Sequence, residues 1–191
     1  ARSELKESIL ELWSNIEKNK RNSVWIISGA QCHNEQPSEV DLLIILDLDE
    51  DGLPIIWSPS RSEEKERIYI KNLVLTIELK GHSGDWVRSK GNAIEVLRRG
   101  KRWEHASRQS RRQKYSVINY VSKNTATRSA PFVESLLWLQ NVPRHGRDLN
   151  LPEPNDTFCG PPNWQEMLNK VINSSNLKMS KVPRSKDGHY M

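Results

Sequence analysis

The chain has 191 residues, 36% of them hydrophobic and 28% charged. At roughly 100–200 residues per domain, that is one domain with its own core, or one domain and a tail. No apolar run reaches the roughly 18 residues of a membrane span, no segment reads as a secretory signal, and Cys32 and Cys159 are too few for a disulfide framework. These features point to a reducing, cytoplasmic setting without membrane insertion. The 29 Lys and Arg exceed the 24 Asp and Glu by only five, but the excess is concentrated. Arg98, Arg99, Lys101, Arg102, Arg108, Arg111, Arg112 and Lys114 fall close together with Glu104 as the one acid among them. Such a cluster suits a polyanion, and equally a solvated helix face.

Residues 2–18 place Leu5, Ile9, Leu12, Trp13 and Ile16 on one helical stripe, with Ser3 as the expected N-cap. Glu4 and Glu11 share one edge of that stripe. Residues 24–28 (VWIIS) are short and β-rich; residues 32–38 form a polar loop. Residues 40–46 (VDLLIIL) predict a strand buried on both faces, with Asp41 as its one charge. An acidic turn follows at 47–52, then a short strand at 53–57 and a polar stretch at 58–67. The strongest strand pattern is 72–80 (NLVLTIELK), in which period two puts Leu73, Leu75, Ile77 and Leu79 on one face. Val74, Thr76, Glu78 and Lys80 take the other face, and 81–84 is expected to end the strand. A small hairpin fits 85–100, turning through 89–92. Residues 104–121 predict a helix with Tyr115, Ile118 and Val121 inward. A strand at 132–139, a proline-rich loop at 141–162 and a short helix at 163–172 with Trp164, Met167, Leu168 and Val171 inward complete the pattern. The domain is read as 1–172, and 173–191 as a polar, disordered tail or linker.

The chemistry-bearing feature is Asp41 inside one apolar strand and Glu78 and Lys80, two apart, at the end of another. Ionised groups in buried strands are costly unless they are paired or bind a metal. Period two turns Glu78 and Lys80 to the same side, and Asp41 joins them if the strands are neighbours. Two carboxylates offer a hard divalent cation its preferred oxygen ligands, and a lysine beside it can orient a water. That is equipment for hydrolysing a phosphodiester. The same residues also suffice for an ion pair, Glu78–Lys80 or Asp41–Lys80, at a strand end.

On the segments EVDLLII, TIELKGHSGDW and RQSRRQ, the chain resembles the nuclease-related (NERD) domain of the PD-(D/E)XK superfamily, from about Glu4 to about Ile172. The resemblance implies an α/β, restriction-endonuclease-like fold: a central mixed sheet flanked by helices. It implies a Mg²⁺- or Mn²⁺-dependent nuclease acting on DNA, with RNA as the other polyanion of that chemistry. Asp41 and Glu78 would ligate the metal, with the Leu79 carbonyl as an extra ligand, and Lys80 would position the attacking water. Glu4 matches an acid on the first helix that completes the metal shell, with Glu11 next in line. Gln109 matches a helix glutamine that contacts the water or the DNA backbone, with Gln113 one turn later as its alternative. Arg102, Arg108, Arg111, Arg112 and Gln113 would hold the nucleic acid. Gly81-His82 stands where that family more usually has an asparagine and an aromatic, and the proline before the helix glutamine is missing.

Such domains often precede helicase or kinase regions. A larger DNA-processing or defence protein is therefore the expected parent, and a non-catalytic binding or recruitment module is the alternative function. No histidine or cysteine pair has zinc-ligand spacing, and neither a P-loop nor a nucleophile elbow is present. His82 reads as a loop residue. Of the seven tryptophans, Trp13, Trp25, Trp138 and Trp164 are expected in the core, while Trp86 and Trp103 flank the candidate site.

Overall fold

In the computed structural model, the described residues are 2–14, 22–48, 53–57, 66–70, 72–99, 102–125, 133–143 and 156–174. In chain order they form α1 (Arg2–Ser14), β1 (Ser23–Gln31), β2 (Glu39–Asp47), β3 (Leu53–Trp57), β4 (Glu66–Ile70) and β5 (Asn72–Ser83). A 3₁₀ turn (Gly84–Trp86) leads to β6 (Val87–Lys90), β7 (Ala93–Arg98), β8 (Arg102–His105), α2 (Ala106–Asn124), β9 (Val133–Asn141), β10 (Thr157–Cys159) and α3 (Trp164–Ser174).

The apolar runs become one five-stranded mixed sheet in the order β1-β2-β5-β9-β10. β1, β2 and β5 pair antiparallel, which short connections allow; β9 lies parallel to β5, which requires a crossover. The three-stranded sheet β6-β7-β8 and then α2 supply it. A second small sheet, β3-β4, sits between β2 and β5 in sequence, and β3 packs against α3.

Period two gives the central sheet two unlike faces. Leu42, Ile44 and Leu46 of β2 join Leu73, Leu75 and Ile77 of β5 and Leu136 and Trp138 of β9 on one face. That face is closed by Leu5 and Ile9 of α1 and by Trp164, Met167, Leu168 and Val171 of α3. Asn163 caps α3: its Oδ1 accepts from Glu166 N–H, while its Nδ2 donates to Glu166 Oε1, both at 3.1 Å. The opposite face lies under α2 and, at its β9 end, under the β6-β7-β8 sheet through Val87, Ile94 and Val96.

Several expectations are met: the strands at 40–46, 53–57 and 72–80, the alternation of the β5 side chains between two faces, the hairpin turning at Gly91-Asn92, and the inward set of α3. Others need correction. Ser3 lies inside α1 rather than capping it. β5 continues to Ser83, so Gly81 and His82 belong to the strand, with an irregularity in its pairing to β9 between Lys80 and Ser83. Burial of β2 is complete only on the α1/α3 face; Leu43 and Ile45 on the other face are half-buried. β4 begins at the end of the polar stretch and β10 lies within the proline-rich loop, and their short lengths leave little alternating pattern to read.

Tyr115 is 60% exposed, because the inward face of α2 is built from Ala106, Ser107, Ser110, Gln113, Ser116 and Val117. Trp25 is 47% exposed on the edge strand β1, paired with β2 on one side only. Trp138 and Trp164 are buried as expected, and the side chain of Trp13 and the tail 175–191 lie outside the described residues.

Candidate functional site

β2 and β5 pair from Asp47↔Asn72 to Leu42↔Ile77. The next positions, Asp41 and Glu78, lie just past the end of that ladder. There the Leu79 N–H donates instead to Asp41 Oδ2 at 2.9 Å. A side-chain carboxylate thus takes over a backbone donor where the pairing ends, and Asp41 is held beside β5 at the level of Glu78.

Glu78 is wholly buried. Its Oε1 forms an ion pair with Lys80 Nζ, and its Oε2 accepts from Gln113 Nε2. Burial pushes the Glu78 carboxyl up to about 7, and the nearby Asp41 charge adds to that; Lys80 and the Gln113 hydrogen bond act against it. Lys80, 14% exposed, also donates from Nζ to Gln109 Oε1 at 3.2 Å. Gln109 and Gln113 reach β5 together because residues four apart share a helix face.

The docking of α2 follows from its sequence. Small inward side chains let the helix lie close to the sheet. Ser107 Oγ accepts from Ile94 N–H at 2.9 Å, and Lys114 Nζ pairs with Glu134 Oε2 at 3.1 Å, fixing the helix to β7 and β9. Near its C-terminal end, Asn119 and Lys123 hold Glu35 of the β1–β2 connection.

The structure therefore gathers Asp41, Glu78, Lys80 and Gln109, with Leu79 between the two catalytic candidates of β5. It does not bring Glu4 to them. Glu4 is an exposed residue of α1, whose Leu5 and Ile9 belong to the opposite, apolar face. Among the described residues no three His, Cys, Asp or Glu side chains form a metal-holding group, so the acidic set here is the pair Asp41 and Glu78. The Glu11 side chain lies outside the described residues.

Gln113 is 1% exposed and turned to Glu78, so it is not on the nucleic-acid-facing surface expected for it. Arg102, Arg108, Arg111 and Arg112 are exposed. Arg98, in the same cluster, is paired with Glu104 at 3.2 Å. His82, half-buried on β5, is held below the usual histidine range by burial and then by Lys80, with Glu104 opposing. Trp103 lies under the Arg88 guanidinium at 4.0 Å, while Trp86 is 42% exposed.

The contacts Asp41–Leu79 N–H and Gln113–Glu78 were beyond sequence reasoning. The second left a signal: glutamines four apart on a helix whose inward positions are otherwise small or polar. No helix among the described residues is long and apolar enough to cross a membrane. The chain matches no protein-family model, no curated protein and no solved structure.

Proposed function

We propose that this chain is a metal-dependent nuclease domain with a restriction-endonuclease-like fold, hydrolysing DNA phosphodiester bonds. The observation that carries the reading is the convergence of Asp41, Glu78, Lys80 and Gln109 just past the end of the β2–β5 ladder. The mixed sheet with α2 crossing between parallel β5 and β9 agrees with that fold.

The residues fit a hard divalent cation. Both acidic donors are carboxylates, and Glu78 Oε1 is buried against the Lys80 ammonium. Mg²⁺ commonly uses one or two protein carboxylates and keeps several waters, so two acids suffice without Glu4. Asp41 and Glu78, with the Leu79 carbonyl, would hold Mg²⁺ or Mn²⁺. The ion would supply charge stabilisation at the phosphoryl oxygens and a more acidic water. Lys80 would orient that water, and Gln109 steadies the Lys80 ammonium by accepting its hydrogen bond. Arg102, Arg108, Arg111 and Arg112 hold the DNA backbone without reading its sequence. On the resemblance to the nuclease-related domain, this reading implies a larger DNA-processing or defence protein as the parent.

The test is incubation of the chain with supercoiled, linear and single-stranded DNA in EDTA, Mg²⁺ and Mn²⁺, beside Lys80→Ala. Metal-dependent cutting that falls by about 10³-fold in the variant is the expected result for loss of a group acting on the water. Equal traces from both proteins, with salt-sensitive DNA retention that ignores Mg²⁺, would leave a binding module instead.

A further inference from the structure

We infer that Gln113 is a positioning residue for the metal site: it fixes the Glu78 carboxylate and thereby sets the site's affinity for its cation. The inference rests on the nuclease reading above and deepens it. Gln113 is 1% exposed, and its Nε2 donates to Glu78 Oε2. Only the nitrogen of an amide can donate, so an ionised carboxylate at this distance dictates the amide's orientation.

The rest of the side chain shows what the residue is for. Gln113 Oε1 is buried with no hydrogen-bond partner, and so are the hydroxyls of Ser110 and Ser116, nearly one turn away on either side. An unpaired buried carbonyl is a standing desolvation cost, which an apolar residue of similar shape would avoid. Packing of α2 therefore does not explain a glutamine here. Its polar contact with Glu78 does.

The consequence for Glu78 is geometric. Lys80 engages Oε1 and Gln113 engages Oε2, so the two donors define the plane of the carboxylate. Without Gln113 the group is free to rotate about its terminal torsion, which is broad and soft, and to turn both oxygens to Lys80. Such a rotation withdraws it from a cation shared with Asp41. Partners of this kind typically change metal affinity or activity by 10–100-fold.

The experiment compares the full chain with Gln113→Met, which keeps shape and loses the donor, and with Ser116→Ala, equally buried but without a contact to Glu78. Mn²⁺ binding is measured by calorimetry without DNA, and DNA cutting is measured across Mn²⁺ concentrations. Gln113→Met should weaken Mn²⁺ binding by about 10–100-fold. Its half-saturating Mn²⁺ should rise accordingly, saturating Mn²⁺ should restore most of the rate, and KM for DNA should stay fixed. Ser116→Ala should move none of these. A merely structural role would lower the amplitude of cutting without moving the metal half-saturation, and that result overturns the inference. If Gln113→Met does not fold, Gln113→Asn, whose shorter amide cannot reach Glu78, carries the same expectation. Wild type that binds and cuts, with a variant matching it, removes this inference alone; wild type that binds no Mn²⁺ removes the nuclease reading too.

Discussion

The two faces of the central sheet are built from the same strands by opposite rules. Toward α1 and α3, Leu73, Leu75 and Ile77 of β5 meet leucines, isoleucines and tryptophans, all at 5% exposure or less. Toward α2, Glu78 meets Gln113, Lys80 meets Gln109 and Thr76 donates to the Glu134 carbonyl, and several buried polar atoms have no hydrogen-bond partner among the described residues. The first face maximises apolar burial, the dominant favourable contribution to folding. The second spends part of that stability on charges and donors arranged around Glu78. Stability and chemistry are thus divided between side chains one residue apart, and substitutions at neighbouring positions should separate them.

The largest effect on folding is expected on the apolar face. Ile77→Ala should lower the unfolding free energy by about 2–5 kcal/mol in urea titration, through lost burial and the cavity left behind. The site contacts across the sheet should survive in whatever fraction remains folded. A loss below about 1 kcal/mol would contradict the division.

Next comes pH. Glu78 has its carboxyl raised from near 4.5 to about 7, so the folded state binds more protons than the unfolded state between these values. The contribution of this group to stability is therefore fully present below about 4.5 and is lost as pH rises through about 7, on the order of 3 kcal/mol in all. Urea titrations of wild type and Glu78→Gln across that window should diverge, with the variant lacking this component. Mg²⁺ should oppose the loss at the upper end, because a cation favours the ionised carboxylate. Parallel curves for the two proteins would place Glu78 outside a buried, desolvated setting.

The smallest effect is at the cap of α3. Asn163→Ala should cost about 1 kcal/mol in thermal unfolding, by removing the reciprocal pair with Glu166, and should leave DNA cutting unchanged. An effect on the metal dependence would mean that the apolar face reaches the site after all.

The division also explains what could be read from the sequence. In LVLTIELK the alternation is unbroken, so both faces of β5, and Glu78 beside Lys80, followed from period two alone. α3 was equally plain, since its inward residues are all large and apolar. α2 was found, and its Ile118 and Val121 pack inward as expected, but Tyr115 points out, because the rest of the inward face carries Ser107, Ser110, Gln113 and Ser116. Hydrophobic periodicity cannot find a face that buries polar groups. Trp25 misled for a related reason, because an edge strand carries the same β-rich composition whether or not a layer covers it. Glu4 shows a third limit. A helical wheel gives the edge on which a residue lies, but where the helix docks depends on contacts distant in sequence.

One of those distant contacts has a consequence for how the chain is made. Ser8 Oγ in α1 accepts the Trp164 N–H that opens α3, at 3.1 Å, and Leu5 and Ile9 share a core with Met167 and Leu168. A helix that precedes the strands thus closes against one that follows them. During synthesis the leucines and isoleucines of β2 and β5 have no complete cover until residues past Trp164 have emerged. A nascent chain stalled before that point would present a wide sticky surface to chaperones.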